Sequence, residues 1–249
     1  MSQVPQTKVL LPLYIYPHPG AWDPLYTTVA AYPCIQFVVI INPNTGPGAA
    51  PWWPNEDYVR EIPRLNALPN VTTLGYVRAT YCKRPVQNVL EDIGTYDRRG
   101  GEDDRLRVDG IFIDETVNLY SEEAKRYLDA IDCRARTLIG VAERRTIIHN
   151  PGTAVSAELA APGPDVTVVV ETSYKEFMTE EYQEWLSTSP YKRPRTAYIV
   201  HSVPQDNVEA LTKALRERAE YLFVTSALCG FYESFAASWL GFVASLAGP

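Results

Sequence analysis

The sequence has few histidines and cysteines and no long apolar run, and each scarcity excludes a class of protein. Its 249 residues include three histidines and four cysteines. The cysteines are far apart and form no CxxC pair, which argues against a zinc knuckle and against a disulfide scaffold. We expect them to be buried free thiols. The longest apolar runs, such as Phe37–Ile41, have the length of a strand, so no transmembrane helix is predicted.

Positive charge is also scarce. Lysine and arginine number 23 against 30 acidic residues, and the net charge is -7 at pH 7. A nucleic-acid partner needs a basic surface, and so does a simple role at a membrane surface; both are disfavoured. The first residues contain no basic region followed by an apolar stretch. We therefore expect no signal peptide, and a cytosolic protein or a mature domain. We also expect a monomer without a metal or cofactor.

Eight short hydrophobic runs are present, and each is typical of a parallel strand buried on both faces. The predicted strands are Val9–Tyr16, Ile35–Ile41, Thr72–Arg78, Gly110–Asp114, Thr146–His149, Val166–Val170, Thr196–Val200 and Tyr221–Thr225. Helical segments are predicted at Tyr58–Leu68, Pro85–Tyr96, Glu122–Ile131, Thr153–Leu159, Thr179–Leu186, Asn207–Glu217 and Tyr232–Leu246. This alternation predicts a single-domain α/β protein, a (β/α)₈ TIM barrel over residues 1–249. A doubly wound open sheet is the alternative, disfavoured because no glycine-rich loop follows the first strand.

Carboxylates and histidines follow several of the predicted strands. Asp114 and Glu115 end the fourth strand and Glu171 ends the sixth. In this fold the active site lies at the carboxyl ends of the strands. A carboxylate that follows a buried strand is partly desolvated, which favours its protonated form and suits a general acid. Because glycoside hydrolysis uses two carboxyl groups across the scissile bond, these three residues are the predicted catalytic groups.

Further polar and aromatic residues are predicted to bind a sugar at the same end of the barrel. A sugar site needs flat apolar surfaces edged with hydrogen-bonding groups. Aromatic residues in the predicted mouth loops, Trp52, Trp53 and Tyr232 among them, indicate an extended groove suited to a polysaccharide. The predicted substrate-binding residues are Tyr16, His18, Trp22, Asn42, Tyr76, Tyr81, His149, Asn150, Tyr174 and His201.

Several of these segments together resemble a known family. The segments are 12–17 (PLYIYP), 19–26 (PGAWDPLY), 42–48 (NPNTGPG), 75–77 (GYV), 109–115 (DGIFIDE) and 149–152 (HNPG). They resemble the spherulin 4-like (spherulation-specific) proteins over nearly the whole chain. The resemblance implies a (β/α)₈ barrel of glycoside hydrolase family 135. Characterised fungal members cleave galactosaminogalactan at α-1,4-linked N-acetylgalactosamine, and their catalytic acids look like Asp114, Glu115 and Glu171 here.

The resemblance implies an endo-α-1,4-N-acetylgalactosaminidase-like enzyme, and the roles of its three acids remain open. The acetamido group of an α-linked N-acetylgalactosamine is cis to the leaving group, so a protein carboxylate must act as nucleophile or as base. We expect Glu115 or Glu171 to be the acid and the other its partner, with Asp114 orienting them. Two other functions stay open: a sugar-binding barrel without turnover, and a metal-dependent barrel hydrolase, disfavoured because no His-x-His pair is present.

Overall fold

Eight parallel strands form a closed barrel in the part of the chain that the structure describes. The structure is a computed structural model that describes residues 6–48, 55–137 and 145–247. The strands pair in sequence order, and the last also pairs with the first. They are β1 (Lys8–Leu13), β2 (Phe37–Ile41), β3 (Val71–Arg78), β4 (Gly110–Asp114), β5 (Thr146–Asn150), β6 (Val166–Ser173), β7 (Thr196–His201) and β8 (Tyr221–Val224). The predicted barrel is confirmed, and the open sheet is wrong.

Helices connect the strands on the outside of the barrel. In the described ranges they are α1 (Asp23–Ala31), α2 (Glu56–Asn66), α3 (Val86–Glu102), α4 (Glu122–Arg136), α5 (Tyr174–Phe177), α6 (Glu180–Leu186), α7 (Val208–Leu215) and α8 (Trp239–Ala247). Helix α4 begins at the hydroxyl cap expected from sequence, since the Ser121 side chain accepts a hydrogen bond from the backbone N–H of Ala124. None of the helices in these ranges is long and apolar enough to cross a bilayer.

Four of the differences from the predicted elements lie near the mouth of the barrel. Helix α1 was not predicted. The helix expected over Thr153–Leu159 is only a short 3₁₀ turn, at Ala157–Leu159. The last helix begins at Trp239 rather than at Tyr232, and β1 ends at Leu13 rather than at Tyr16. Each of these four lies at the carboxyl end of a strand or in the segment that follows it, which is where the site forms.

A parallel barrel covers both faces of each strand, and the strands supply about half of the buried hydrophobic residues. All five residues of β2, for example, are at most 4 % exposed. The cysteines do not belong to this core, and the expectation that they are buried is wrong. Cys34, Cys133 and Cys229 are exposed and Cys82 is half-buried. They lie in loops and on the outer side of α4, where the solvent reaches them.

Candidate active site

Three neighbouring strands bring a tyrosine, an aspartate and an asparagine to the mouth of the barrel. Tyr76 lies in β3, and Asp114 and Asn150 are the last residues of β4 and β5. Asp114 and Asn150 occupy paired positions in the parallel ladder. Paired residues project to the same face of a sheet, so both side chains point to the inside of the barrel.

Asn150 connects the two carboxylates that the sequence placed on strands four and six. Its side-chain Nδ2 donates one hydrogen bond to Asp114 Oδ1 at 2.8 Å and another to Glu171 Oε2 at 2.5 Å. The two carboxylate oxygens are therefore no farther apart than these two bond lengths combined. The convergence of acids from β4 and β6, on which the sequence interpretation depends, is present in the structure.

Asp114 accepts hydrogen bonds from three donors. The Tyr76 hydroxyl donates to Oδ2 at 2.7 Å, and Oδ1 accepts both from Asn150 and from the backbone N–H of Glu115 at 2.9 Å. Burial raises the pKa of Tyr76, and the neighbouring Asp114 charge raises it further, so the hydroxyl keeps its proton and donates. Three donors on one carboxyl group hold it in a single orientation.

The Glu171 carboxyl group is largely desolvated. The hydroxyl of Tyr232 donates to Oε1 at 2.5 Å, opposite the bond from Asn150. Burial raises the pKa of Glu171 above its ordinary value and the Asp114 charge adds to the increase, although the hydrogen bonds from Tyr232 and Asn150 counteract it. A carboxyl group with a raised pKa keeps its proton to a higher pH, which favours the role of general acid.

A β-bulge in β6 turns Glu171 toward the inside of the barrel. Val168 pairs with Ala197 of β7, but the next pair is Val170 with Tyr198, so one additional residue is accommodated between them. Strict alternation counted from Val168 would place Glu171 on the outer face. Because the bulge adds one residue, Glu171 instead faces the inside of the barrel. Bulges beside active sites commonly redirect a side chain in this way.

The third predicted acid, Glu115, follows β4 in an unusual backbone conformation. Its φ is +53°, the left-handed region that non-glycine residues rarely adopt. The side chain lines the same cavity as Asp114 and Glu171. The structure therefore brings all three predicted acids to one cavity.

This cavity has a volume of about 470 Å³ and opens at the mouth of the barrel. The residues that line it are Tyr81, Asp114, Glu115, Asn150, Pro151, Gly152, Glu171, His201, Phe231 and Tyr232. The imidazole of His201 is stacked on the Phe231 ring at 3.7 Å between centroids, and burial lowers the pKa of His201. A neutral imidazole and an aromatic face together offer a surface with both polar and apolar character, as a sugar requires.

Several residues predicted to bind substrate lie elsewhere. Trp22 is 1 % exposed, and its indole N–H donates to the backbone oxygen of Ile15. His149 is also buried and hydrogen-bonded to Asp132 of α4 at 2.7 Å. Its neighbour Asn150 faces the cavity, so alternation turns His149 outward. Both predictions are corrected, because neither side chain can reach a ligand in the cavity.

Five other predicted binding residues lie outside the cavity lining, and one of them, Tyr76, instead donates to Asp114. Tyr16 packs on His18, and its hydroxyl donates to Asp57 at 2.8 Å. Asn42 Oδ1 accepts from the backbone N–H of Gly46, which makes it a loop residue. Tyr174 begins α5 and accepts a hydrogen bond from Asn207. Trp52 and Trp53, considered as sugar platforms, lie outside the described residues.

Sequence reasoning did not identify the hydrogen-bonding role of Tyr232, and it overlooked Tyr14 and Phe231. Tyr14 packs edge-on against Tyr76 and Tyr232, at 5.6 and 5.3 Å between ring centroids. It thus supports both rings whose hydroxyls bind the carboxylates. The sequence signal for Tyr14 was weak, because it falls at the end of a run that was assigned entirely to β1.

Comparison with known proteins finds a matching family model, a similar sequence and a similar fold. The family model described as "Spherulation-specific family 4" matches residues 8–246. Spherulin-4 of Physarum polycephalum is 27 % identical over 214 residues; the match covers 84 % of this chain and 59 % of the relative, so the chain spans about three-fifths of that protein. The crystal structure of Aspergillus clavatus Sph3 in complex with GalNAc superposes with a TM-score of 0.92 at 35 % identity, over 98 % of both chains.

Proposed function

The chain belongs to spherulation-specific family 4, and from that premise we propose that it is a glycoside hydrolase that cleaves an α-1,4-linked N-acetylgalactosamine polymer. One observation carries the proposal: two carboxylates, one rich in hydrogen-bond donors and one desolvated, share the amide of Asn150. Environments that separate two carboxylates in this way allow one to act as an anion and the other as an acid. The similarity to a protein crystallised with GalNAc supports the sugar.

The environments favour Asp114 as nucleophile and Glu171 as general acid. The Asp114 carboxylate attacks the anomeric carbon while the Glu171 proton passes to the glycosidic oxygen, so the C1–O4 bond breaks and a glycosyl ester forms. Glu171, now ionised, removes a proton from water, which attacks C1 and releases Asp114. This differs from the sequence-based expectation that Glu115 and Glu171 form the reacting pair, because Asn150 joins Glu171 to Asp114.

The separation of the carboxylates supports retention of configuration. Inverting enzymes hold their carboxyl groups about 6.5–9.5 Å apart to admit a water molecule, and retaining enzymes about 5–5.5 Å apart. One oxygen of Asp114 and one of Glu171 bind the same amide nitrogen. Their separation is therefore closer to that of retaining enzymes than to that of inverting enzymes. The acetamido group of an α-linked sugar is cis to the leaving group, so the protein itself must supply the nucleophile.

Digestion of α-1,4-linked N-acetylgalactosamine oligomers tests this function. The wild-type protein should release shorter oligosaccharides, whereas Asp114→Asn and Glu171→Gln should reduce the rate by at least about 1000-fold, as loss of a reacting group does. Glu209→Gln is the matched control, because Glu209 is an exposed acid on α7 paired with Lys213. The proposal is wrong if no oligomer is cleaved, or if the two site variants keep the rate of the control. Binding without products would favour the sugar-binding barrel.

Azide rescue of alanine variants distinguishes the nucleophile from the general acid. With an aryl α-N-acetylgalactosaminide, Asp114→Ala should give the β-glycosyl azide, because azide then takes the place of the missing nucleophile. Glu171→Ala should give the α-azide, because azide attacks C1 of the glycosyl ester in the deglycosylation step and displaces the Asp114 carboxylate. The opposite pattern of products would reverse the assignment of the two residues.

A further inference from the structure

Three consecutive residues after β3 have left-handed backbone conformations. The φ angles of Thr80, Tyr81 and Cys82 are +51°, +52° and +61°. Left-handed conformations of L-residues are unfavourable, most of all for a β-branched residue such as threonine, and they normally occur singly. None of the three positions holds a glycine, the residue that would adopt this conformation without strain. Strain of this kind persists only where the surrounding structure imposes it, and it concentrates at functional sites.

The surrounding structure that imposes the strain is the loop that carries Glu115. The β3–β4 ladder continues past the strands through a hydrogen bond from the Ala79 N–H to the Asp114 oxygen at 2.9 Å. The Tyr81 N–H then donates to the carbonyl oxygen of Glu115 at 2.6 Å. The thiol of Cys82 accepts from the backbone N–H of Val117. Ala79 and two residues of the left-handed turn, Tyr81 and Cys82, are therefore attached to residues 114–117.

The turn and Glu115 present two side chains to the same cavity. Tyr81 and Glu115 both line it, and the Tyr81 side chain is 55 % exposed, unlike most large rings of the chain. A change of Tyr81 from the left-handed to the right-handed region would redirect its ring and break its bond to Glu115. The strained conformation thus decides where the ring lies relative to the catalytic acids.

We propose that the left-handed turn Thr80–Cys82 is a positioning element that holds the Tyr81 ring as a stacking surface for the sugar bound beside Asp114 and Glu171. The inference rests on the proposed function, since it names a binding subsite for that substrate. Thr80 and Cys82 do not touch the sugar; they act through Tyr81. An aromatic face offers the C–H surface of a hexosamine ring an apolar partner, while the hydroxyls of the sugar remain free for polar groups.

Glycine substitution provides a matched comparison. Thr45 has the same residue type and nearly the same φ, +52°, in the loop after β2, and it does not line the cavity. Thr80→Gly and Thr45→Gly both replace a strained threonine with a residue that tolerates this conformation but does not enforce it. A purely structural role of the strain would give the two variants the same behaviour, and a role in binding would affect Thr80→Gly alone.

Affinity for an α-1,4-linked N-acetylgalactosamine tetrasaccharide is measured by calorimetry in the Glu171→Gln background, and KM and kcat in the otherwise native chain. Tyr81→Ala should weaken binding about tenfold, the size expected for loss of one stacking contact. Thr80→Gly should weaken binding about fivefold and raise KM more than it lowers kcat, because the ring is loosened rather than lost. Thr45→Gly should leave both unchanged, and unfolding curves verify that each variant is folded.

Because Thr80 acts through Tyr81, the double variant Thr80→Gly/Tyr81→Ala should bind no more weakly than Tyr81→Ala alone. Three results would overturn the inference. They are additive losses of affinity in the double variant, equal affinities of Thr80→Gly and Thr45→Gly, and no binding of the tetrasaccharide by the Glu171→Gln parent. The proposed function fails by a different result, the absence of hydrolysis by the wild-type chain. A wild type that cleaves the tetrasaccharide while Thr80→Gly retains its KM would refute the role of the turn and leave the hydrolase proposal intact.

Discussion

Replacement of Tyr232 by phenylalanine should change the pH dependence of the reaction. The ring remains, but Glu171 Oε1 loses the donor that lies 2.5 Å away. That hydrogen bond lowers the pKa of Glu171 against the effect of burial, so its removal should raise the pKa further. A hydrogen bond to a charged group contributes about 1.5–3 kcal/mol, and each pH unit corresponds to about 1.4 kcal/mol. Water in the open cavity replaces part of the lost bond, so we expect an increase of about one pH unit.

The measurement is the pH profile of kcat/KM for hydrolysis. If Glu171 is the general acid, activity is lost at alkaline pH as Glu171 ionises. The alkaline limb of Tyr232→Phe should therefore move to higher pH by about one unit, while the acidic limb stays in place. The substitution is conservative in volume, so the change of profile should occur without a large loss of stability.

Tyr26→Phe is the matched control, because Tyr26 also donates to a carboxylate, that of Glu61 at 2.7 Å, but on the outside of the barrel. Its profile should coincide with that of the wild type. An alkaline limb that does not move in Tyr232→Phe would refute the assignment of Glu171 as the acid. Movement of the acidic limb alone would instead identify Glu171 as the group that must be ionised.

Three further predictions concern stability, measured by chemical denaturation. The folded state raises the pKa of Glu171, so wild-type stability falls as pH rises from the unfolded pKa through the folded one; Glu171→Gln should therefore be more stable than wild type at pH 7, with no gain at pH 4. His149→Phe should cost about 3 kcal/mol because it leaves Asp132 buried without its partner, and the additional change Asp132→Leu should recover most of the loss. Gly110→Ala should cost about 3 kcal/mol or more, because the new Cβ would lie 2.0 Å from the Thr146 carbonyl oxygen; a variant with native stability would contradict this packing.

The sequence predicts the strands of this fold better than it predicts the connections. A parallel strand buried on both faces is a continuous hydrophobic run, and such a run is visible without any knowledge of its neighbours. Helix α1 was missed because β-branched and aromatic residues dilute its helical pattern, although Pro24 at its start is a recognised helix signal. With that helix unrecognised, Trp22 was assigned to a mouth loop, whereas it is packed in the core.

In the candidate site too, the sequence predicts the residues at strand ends better than it predicts their partners. Asp114 and Glu115 were identified because they directly follow a buried strand, and the fold then determines where their side chains lie. The partners of the acids could not be predicted, because a hydrogen bond such as that between Tyr232 and Glu171 joins residues that are distant in sequence. His149 illustrates the limit for adjacent residues: it ends a strand as Asn150 does, but only the register decides which of the two faces the cavity.

The bulge in β6 affects how chains of this kind can be compared. Because regular pairing with β7 resumes at Val170, deletion of Val169 would straighten the strand and leave Glu171 opposite Ile199, on the same side as before. A homologue one residue shorter at this point would thus keep its acid in place, although an alignment would show a gap two positions before it. A residue can be gained or lost at position 169 without moving the Glu171 carboxylate. Insertion of one residue between Val170 and Glu171 would instead turn the carboxylate away from the substrate.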